Sequence, residues 1–237
     1  GDHRDLHLSI RRQRQMCIRD RLLSLAERSG IPVITTLLGL GSFPSGHPLS
    51  MGMLGMHGMY WSNISVDQAD LIVGVGMRFD DRVTGKVDTF APHARIVHMD
   101  IDPSQIGRNV PVEIPIVGDA KALLKNLAPM VTNVPRPDWM QYIENLKRDH
   151  PSLSIPASDV LQPHQVIRAM DVLVQEHPDT TIVTGVGQHQ MWAAQFLSFN
   201  HENTFVSSGG LGAMGFEPVS YTHLRAHETR HDLVCRL

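Results

Sequence analysis

Short apolar, β-branched runs bounded by Gly, Asp or Pro alternate with helical periods over the first half of the chain. The runs at 31–36 (IPVITT), 71–75 (LIVGV), 96–99 (IVHM) and 114–117 (IPIV) predict strands of an α/β fold with a parallel sheet. Residues 120–127 follow Asp119, a good N-cap, and put Leu123, Leu124 and Leu127 on one face, which predicts a docking helix. From Met130 to Gln162 the chain is rich in proline and carries one predicted helix, over 138–149. A second α/β unit opens at Pro163, suited to a first helical turn, with Val166, Ile167, Met170, Leu173 and Val174 as its apolar stripe and a strand at 180–184. The pattern therefore predicts a doubly wound parallel-sheet domain over 22–150, a linker over 151–163 and the start of a second α/β domain over 164–217.

The two ends read differently. Residues 1–21 hold no apolar period, and residues 218–237 scatter Arg and His without pattern. Both resemble translated sequencing-adapter DNA and are expected to be foreign; the opening Gly1 leads to the further expectation that the natural start is missing.

Composition narrows the classes. Of 237 residues 42% are hydrophobic and 19% charged, enough to bury a core. A formal charge of -3 gives no global attraction to nucleic acid or to an anionic membrane. No apolar run reaches the roughly 18 residues of a membrane span, and the Arg- and His-rich start is unlike a signal peptide, so a cytoplasmic protein is expected. Cys17 and Cys235, near opposite ends, give no disulfide framework.

Several motifs carry candidate chemistry. In LIVGVGMRFDDRVTG (71–85) a strand delivers Gly74 and Gly76 where bare backbone can approach a dinucleotide, and the next strand ends in Asp100, placed to accept ribose hydroxyls. Ordinary strand-end turns would look the same. In MGMLGMHGMYW (51–61) methionines and glycines form a predicted loop that suits a planar ligand such as flavin, or equally a Met-rich hinge or core plug. Arg82, beside Asp80 and Asp81, offers a planar fork for a substrate carboxylate, or belongs to a solvated charge cluster. In GVGQHQMWAAQ (185–195) glycines at a strand's end, a helix start, Gln188 and His189 together read as a phosphate cradle. A second glycine run, SSGGLGAMG (207–215), can meet the same ligand from another strand end. The formal zinc motif from His227 to His231 taken alone suggests a zinc peptidase, but it lacks an apolar back and a third ligand, so that reading is kept as a remote alternative and no metal ligands are assigned from it. The arginines at 11, 12, 14, 19 and 21 are read as a solvated or foreign tail rather than a nucleic-acid arm.

Six motifs in order, GIPVITTLLGLGSFP, LGMHG, GMRFDDRVTGK, IVHMDIDPSQIG, GVGQHQMWAAQF and SSGGLGAMGF, make residues 22 to about 216 resemble the large, catalytic subunits of the acetolactate (acetohydroxyacid) synthase family of thiamine diphosphate enzymes. The resemblance implies most of a central FAD-binding domain and the beginning of a thiamine-diphosphate-binding domain. The matching flavin positions are Thr36, Leu37, Leu38, Leu54, Gly55, Met56, His57, Gly76, Met77, Arg78, Asp80, Arg82, Val83, Asp100, Ile101, Gln105, Gly118, Asp119 and Ala120. Gln105 departs from the glutamate common in the family. Val186, Gly187, Gln188, His189, Gly212 and Met214 match positions that touch thiamine diphosphate.

The implied reaction is a carboligation: pyruvate loses carbon dioxide and its two-carbon remainder joins a second 2-oxo acid, on the way to branched-chain amino acids. Arg82 would hold the acceptor's carboxylate and Gln188 would act at the reacting centre, while flavin would have a structural role. The family's activating glutamate lies in a domain before this stretch, and its Mg²⁺ ligands lie beyond Phe216. This polypeptide alone is therefore expected to be inactive and to bind FAD weakly. A homodimer or tetramer, with a regulatory small subunit among the family's partners, is implied for the full-length enzyme. The competing readings are a glyoxylate carboligase or pyruvate oxidase type, and a Rossmann-type nucleotide-binding module; the latter leaves GVGQHQMWAAQ unexplained.

Overall fold

The computed structural model describes residues 18–155, 157–177, 180–201 and 205–218. A first helix, α1 (18–29), stops at Gly30, whose φ of +66° suits a helix C-terminus. Strand β1 (Val33–Thr35) then pairs in parallel with β2 (Ser50–Met53). Helix α2 (Tyr60–Asp67) leads to a second parallel group, β3 (Leu71–Val75), β4 (Arg95–Asp100) and β5 (Ile114–Val117), with Ile72 opposite Ile96 and Met99 opposite Ile116. The short helix α3 (Asp81–Thr84) lies between β3 and β4. Helix α4 (Ala120–Leu127) starts where expected: the Asp119 carboxylate accepts from the Ala122 N–H at 3.2 Å, and Leu124 is fully buried.

Helix α5 (Pro137–Asp149) packs on α2 and buries Ile143. After the connector, α6 (Pro163–Glu176) opens with a capping box in which Gln162 and Gln165 satisfy each other's backbone N–H groups. Strand β6 (Ile182–Thr184), helix α7 (Gln188–Phe196) and strand β7 (Phe205–Ser207) complete the described chain, with β6 and β7 parallel and Thr184 opposite Ser207.

Every strand pairing is parallel, in keeping with the α/β fold expected, and among the described residues the strands of 22–150 form two groups, β1–β2 and β3–β4–β5. Two expectations change. The stretch 51–61 is not one loop: Met51 and Met53 lie in β2 and, with Met59, are almost completely buried, so three of its methionines are core residues and only Met56 is exposed. The stripe on α6 finds too little surface to cover it. Val174 is buried and Ile167 packs against a core of Ala193, Leu197 and Phe199, whereas Val166, Met170 and Leu173 stay exposed.

The central unit has its own core, Phe79, Ile96 and Val110, flanked by Ile72, Met77, Phe90 and Val112. The two units meet at a polar and aromatic joint. Ser45 N–H donates to the Phe199 carbonyl at 3.2 Å, Phe199 N–H returns to the Ser45 hydroxyl at 2.9 Å, and Gly46 N–H donates to Asn200 Oδ1 at 3.0 Å. Arg168, over the Phe196 ring at 5.2 Å, also donates to the Leu153 carbonyl and so fastens the connector to α6. No helix among the described residues is long and apolar enough to cross a membrane. Cys17, Cys235 and the formal zinc motif at 227–231 lie outside the described residues, as does nearly all of each stretch expected to be foreign.

Candidate functional site

Parallel strands point one way, so everything that follows their C-terminal ends gathers at one edge. Thr36, Leu37 and Leu38 follow β1; Leu54, Gly55, Met56 and His57 follow β2. Gly76, Met77, Arg78, Asp80, Arg82 and Val83 follow β3, Asp100 closes β4 ahead of Ile101 and Gln105, and Gly118, Asp119 and Ala120 follow β5. All the flavin positions implied by the resemblance thus follow the C-terminal ends of strands in the two parallel groups, β1–β2 and β3–β4–β5.

Hydrogen bonds join these loops to one another. Leu54 N–H donates to Thr35 O at 2.9 Å and Met56 N–H to Arg82 O at 2.8 Å, linking the ends of β1, β2 and β3. Gly76 N–H donates to Met99 O at 2.8 Å and Gly118 N–H to Asp100 O at 2.9 Å, linking β3, β4 and β5. Gly55 fits against Arg82 so closely, at a φ of +106°, that a β-carbon would come within 2.5 Å of the Arg82 carbonyl oxygen. His98, fully buried in β4, donates from Nε2 to the Met77 carbonyl at 2.7 Å and fixes the turn after Gly76. The edge also carries charge. Arg78 donates to Asp80 at 2.9 Å, but the other Asp80 carboxylate oxygen is buried without a partner. Ser104 holds the Asp102 carboxyl below its usual range by its side chain and its backbone N–H. Arg82 projects into solvent, 73% exposed, with Asp81 at 3.5 Å. The Gln105 amide faces Asp102 and Ser104.

In the second unit, β6 and β7 lie side by side, so residues 185–187 and 208–215 leave the same edge. Gly187 is the N-cap of α7, with Gln188 and His189 exposed in its first turn and Val186 half-buried. A β-carbon on Gly187 would come within 2.8 Å of the His189 ring. His189 Nε2 stands 3.1 Å from a Glu217 carboxylate oxygen, and that carboxylate also lies against Gly185, leaving no room for a side chain there. Glu217 is held below the usual carboxylate range by its own backbone N–H first, and further by the Gly185 N–H and His189. A carboxylate thus rests against the Gly185 N–H and the His189 ring, just before and in the first turn of α7. Gly212 and Met214 are exposed on the loop that leaves β7.

Sequence reasoning missed four side chains that hold this geometry together. Gln190 is buried and donates to Ser207 at 2.5 Å, and Thr184 donates to the same hydroxyl at 3.0 Å. From the far end of α7, Gln195 donates to the His57 carbonyl at 2.8 Å, while Gly209 lies against Leu37. The only sequence signal for Gln190 is its place three residues after Gly187, in a helix whose next four residues, Met191 to Ala194, are apolar. No cluster of three or more His, Cys, Asp or Glu side chains able to hold a metal occurs among the described residues.

This arrangement has known counterparts. Residues 13–127 match the thiamine pyrophosphate enzyme central domain, and residues 185–220 match the C-terminal TPP binding domain of those enzymes. The chain belongs to the thiamine pyrophosphate enzymes. Among them it is homologous to acetolactate synthases. It is 45% identical over 204 residues to "Acetolactate synthase" of Mycobacterium leprae, covering 83% of this chain and 32% of that protein. It is 46% identical over 203 residues to "Acetolactate synthase large subunit" of Corynebacterium glutamicum, with 83% and 32% covered. With "Acetolactate synthase 1, chloroplastic" of Zea mays it shares 43% identity over 203 residues, again with 83% and 32% covered. The chain therefore spans about a third of the length of the relatives it matches.

Proposed function

We propose that this chain is part of the catalytic subunit of an acetolactate synthase, which decarboxylates pyruvate and condenses the remainder with a second 2-oxo acid. The observation that carries the reading is the shared edge of β6 and β7, where two glycine loops leave neighbouring parallel strands next to the N-terminus of α7. The residues present fit a diphosphate, because a carboxylate already rests against Gly185 and His189. In this reading Val186, Gly187, Gln188, His189, Gly212 and Met214 hold thiamine diphosphate, and none of them is a Mg²⁺ ligand. When bound, the coenzyme supplies an electron sink that lets carbon dioxide leave. The chain's own groups orient and shield. Exposed Gln188 offers a donor and an acceptor beside the cradle, and the α7 N-terminus favours the diphosphate's charge.

Flavin fits the central unit for a related reason. The buried, unpartnered oxygen of Asp80 needs a donor, and a ribityl chain carries hydroxyls. Thr36, the 54–57 loop, Gly76 to Val83, Asp100 to Gln105 and Gly118 to Ala120 then line one edge around it, and Arg82 grips the acceptor's carboxylate at two points. As homologues, the relatives support an oligomeric enzyme acting on pyruvate.

The test uses the full-length protein. It is expected to bind thiamine diphosphate and FAD and to form acetolactate from pyruvate. Arg82→Lys is expected to raise KM for the acceptor acid by about tenfold, as one of two charge-assisted bonds is lost, with thiamine diphosphate affinity unchanged. Full-length protein that binds thiamine diphosphate but yields tartronic semialdehyde from glyoxylate, or acetyl phosphate from pyruvate, would overturn the assignment.

A further inference from the structure

One buried side chain joins the two glycine loops, and its role rests on the thiamine diphosphate reading above. Gln190 is the third residue of α7 and is 3% exposed, although its neighbours Gln188 and His189 face solvent. Its backbone N–H donates to Gly187 O at 3.1 Å, closing the first turn on the N-cap. Its amide crosses to Ser207, the last residue of β7, whose hydroxyl also accepts from Thr184, the last residue of β6. Beyond Ser207 the line continues: the buried Ser208 hydroxyl donates to Ala213 O at 2.7 Å, and Gly212 N–H donates to Ser208 O at 2.7 Å. Gly187 and Gly212 are thus joined through Gln190, Ser207 and Ser208 without leaving the protein interior for more than a turn of loop.

Packing alone does not call for this amide. The other buried positions of α7 are Ala193 and Ala194, and a polar group is costly to bury unless its bonds are made. The Ser207 hydroxyl bonds β6, β7 and α7 together through a single atom. We propose that Gln190 is a positioning residue: through Ser207 it sets the spacing of loops 185–187 and 208–213, so that both meet the two phosphates of a diphosphate ester. It touches no substrate and acts through the loops it holds.

The experiment measures thiamine diphosphate binding to the full-length protein with Mg²⁺, by quenching of intrinsic tryptophan fluorescence, together with amide hydrogen exchange at 187 and 212 in the coenzyme-free protein. Gln190→Met keeps the length and removes the donor; Ser207→Ala removes the acceptor by a smaller change and serves if the first variant fails to fold. Each is expected to weaken coenzyme affinity about tenfold, the scale of one buried hydrogen bond lost. The double variant is expected to be no weaker than the worse single one, and exchange at both glycines to quicken. A merely structural role would lower the urea midpoint while leaving affinity within about twofold of wild type, and that result overturns the inference. Additive losses in the double variant overturn it too. If wild-type protein binds thiamine diphosphate and the variants bind equally well, the inference fails and the functional reading stands. If wild-type protein does not bind it, both fail.

Discussion

Gly55 is the position at which backbone geometry and the candidate site are most tightly coupled, and replacing it with alanine separates two costs. The first is conformational. A residue with a β-carbon at a φ of +106° is strained by about 1–3 kcal/mol. The second is steric. The added carbon would stand 2.5 Å from Arg82 O, 3.2 Å from Val83 Cα and 3.4 Å from Arg82 C, all backbone atoms that no rotamer change can move. The loop cannot withdraw either, because Gly55 N–H donates to Asn63 Oδ1 and Asn63 donates back to Gly55 O, both at 3.0 Å, while Met56 N–H holds Arg82 O. Forced overpacking of this kind costs about 1–3 kcal/mol more, for a total of about 2–6 kcal/mol. Gly76 is the control. Its φ is +63° and nothing lies within 4 Å of where a β-carbon would be, so Gly76→Ala is expected to cost only about 1–2 kcal/mol. Urea unfolding at fixed m, near 2 kcal/mol/M, converts these to midpoint drops of roughly 1–3 M for Gly55→Ala and under about 1 M for Gly76→Ala. Equal midpoints for the two variants would refute the argument that the β2 loop is pressed against Arg82.

Two further outcomes are expected. Gly74 lies under the Phe79 ring, where a β-carbon would come within 2.8 Å of Cζ; Gly74→Ala is therefore expected to cost about 1–3 kcal/mol, and Gly74→Ala/Phe79→Leu less than the sum of the single changes, as measured by a double-mutant cycle in urea. Additivity would mean that the ring does not need the glycine. Arg95 at the start of β4 binds the Glu113 carboxylate through Nε at 2.8–2.9 Å and Nη2 at 2.5 Å, and this bond holds Glu113 below the usual carboxylate range. Since the folded value is the lower one, the stabilisation is complete above the ordinary carboxylate range and disappears as pH falls through the folded value. Glu113→Gln is thus expected to lower Tm at neutral pH, less so in high salt, and to match wild type in acid; a Tm difference that persists in acid would point to another cause.

Much of this architecture is legible in residue order because the signals are local. Asp119 before Leu123, Leu124 and Leu127 announces α4, Pro163 announces α6, and the runs at 71–75, 96–99 and 114–117 coincide with β3, β4 and β5 or lie within them. Strand β2 was hidden because Ser50-Met-Gly-Met53 has neither β-branching nor strict alternation, and its methionines suggested a ligand surface where the fold uses two of them as core. Strand β7 has only Phe205 and Val206 as apolar residues before the glycine run at 207–215, a shorter apolar, β-branched stretch than those at 31–36 and 180–184. The stripe on α6 misled in the opposite direction: helical period reports which residues share a face, not how much surface a neighbour offers it. Gln190 was invisible for a different reason. Its partner is 17 residues away, and only the pairing of β6 with β7 brings Ser207 within reach.

The helix that carries Gln190 also connects the two candidate cofactor edges. Helix α7 has nine residues, about 13 Å of rise, with Gly187 at its start and Gln195 in its last turn bonded to the His57 carbonyl. Close by, Gly209, on the loop that Ser207 introduces, packs directly on Leu37, so each glycine loop of the second unit has a fixed relation to one strand end of the first. A displacement at the Gly187 end of so short a helix is carried along it, since its interior bonds are i to i−4 and its buried face is Gln190, Ala193 and Ala194. Ala193 on that face packs into the second unit's own core with Leu197 and Phe199, while the contact between α7 and β2 and the Gln195 bond to His57 tie the helix to the first unit. The two ends of GVGQHQMWAAQ therefore do different things: Gly185 leaves room for a carboxylate at the strand end, and Gln195 ties the far end of the helix to the loop of Met56 and His57.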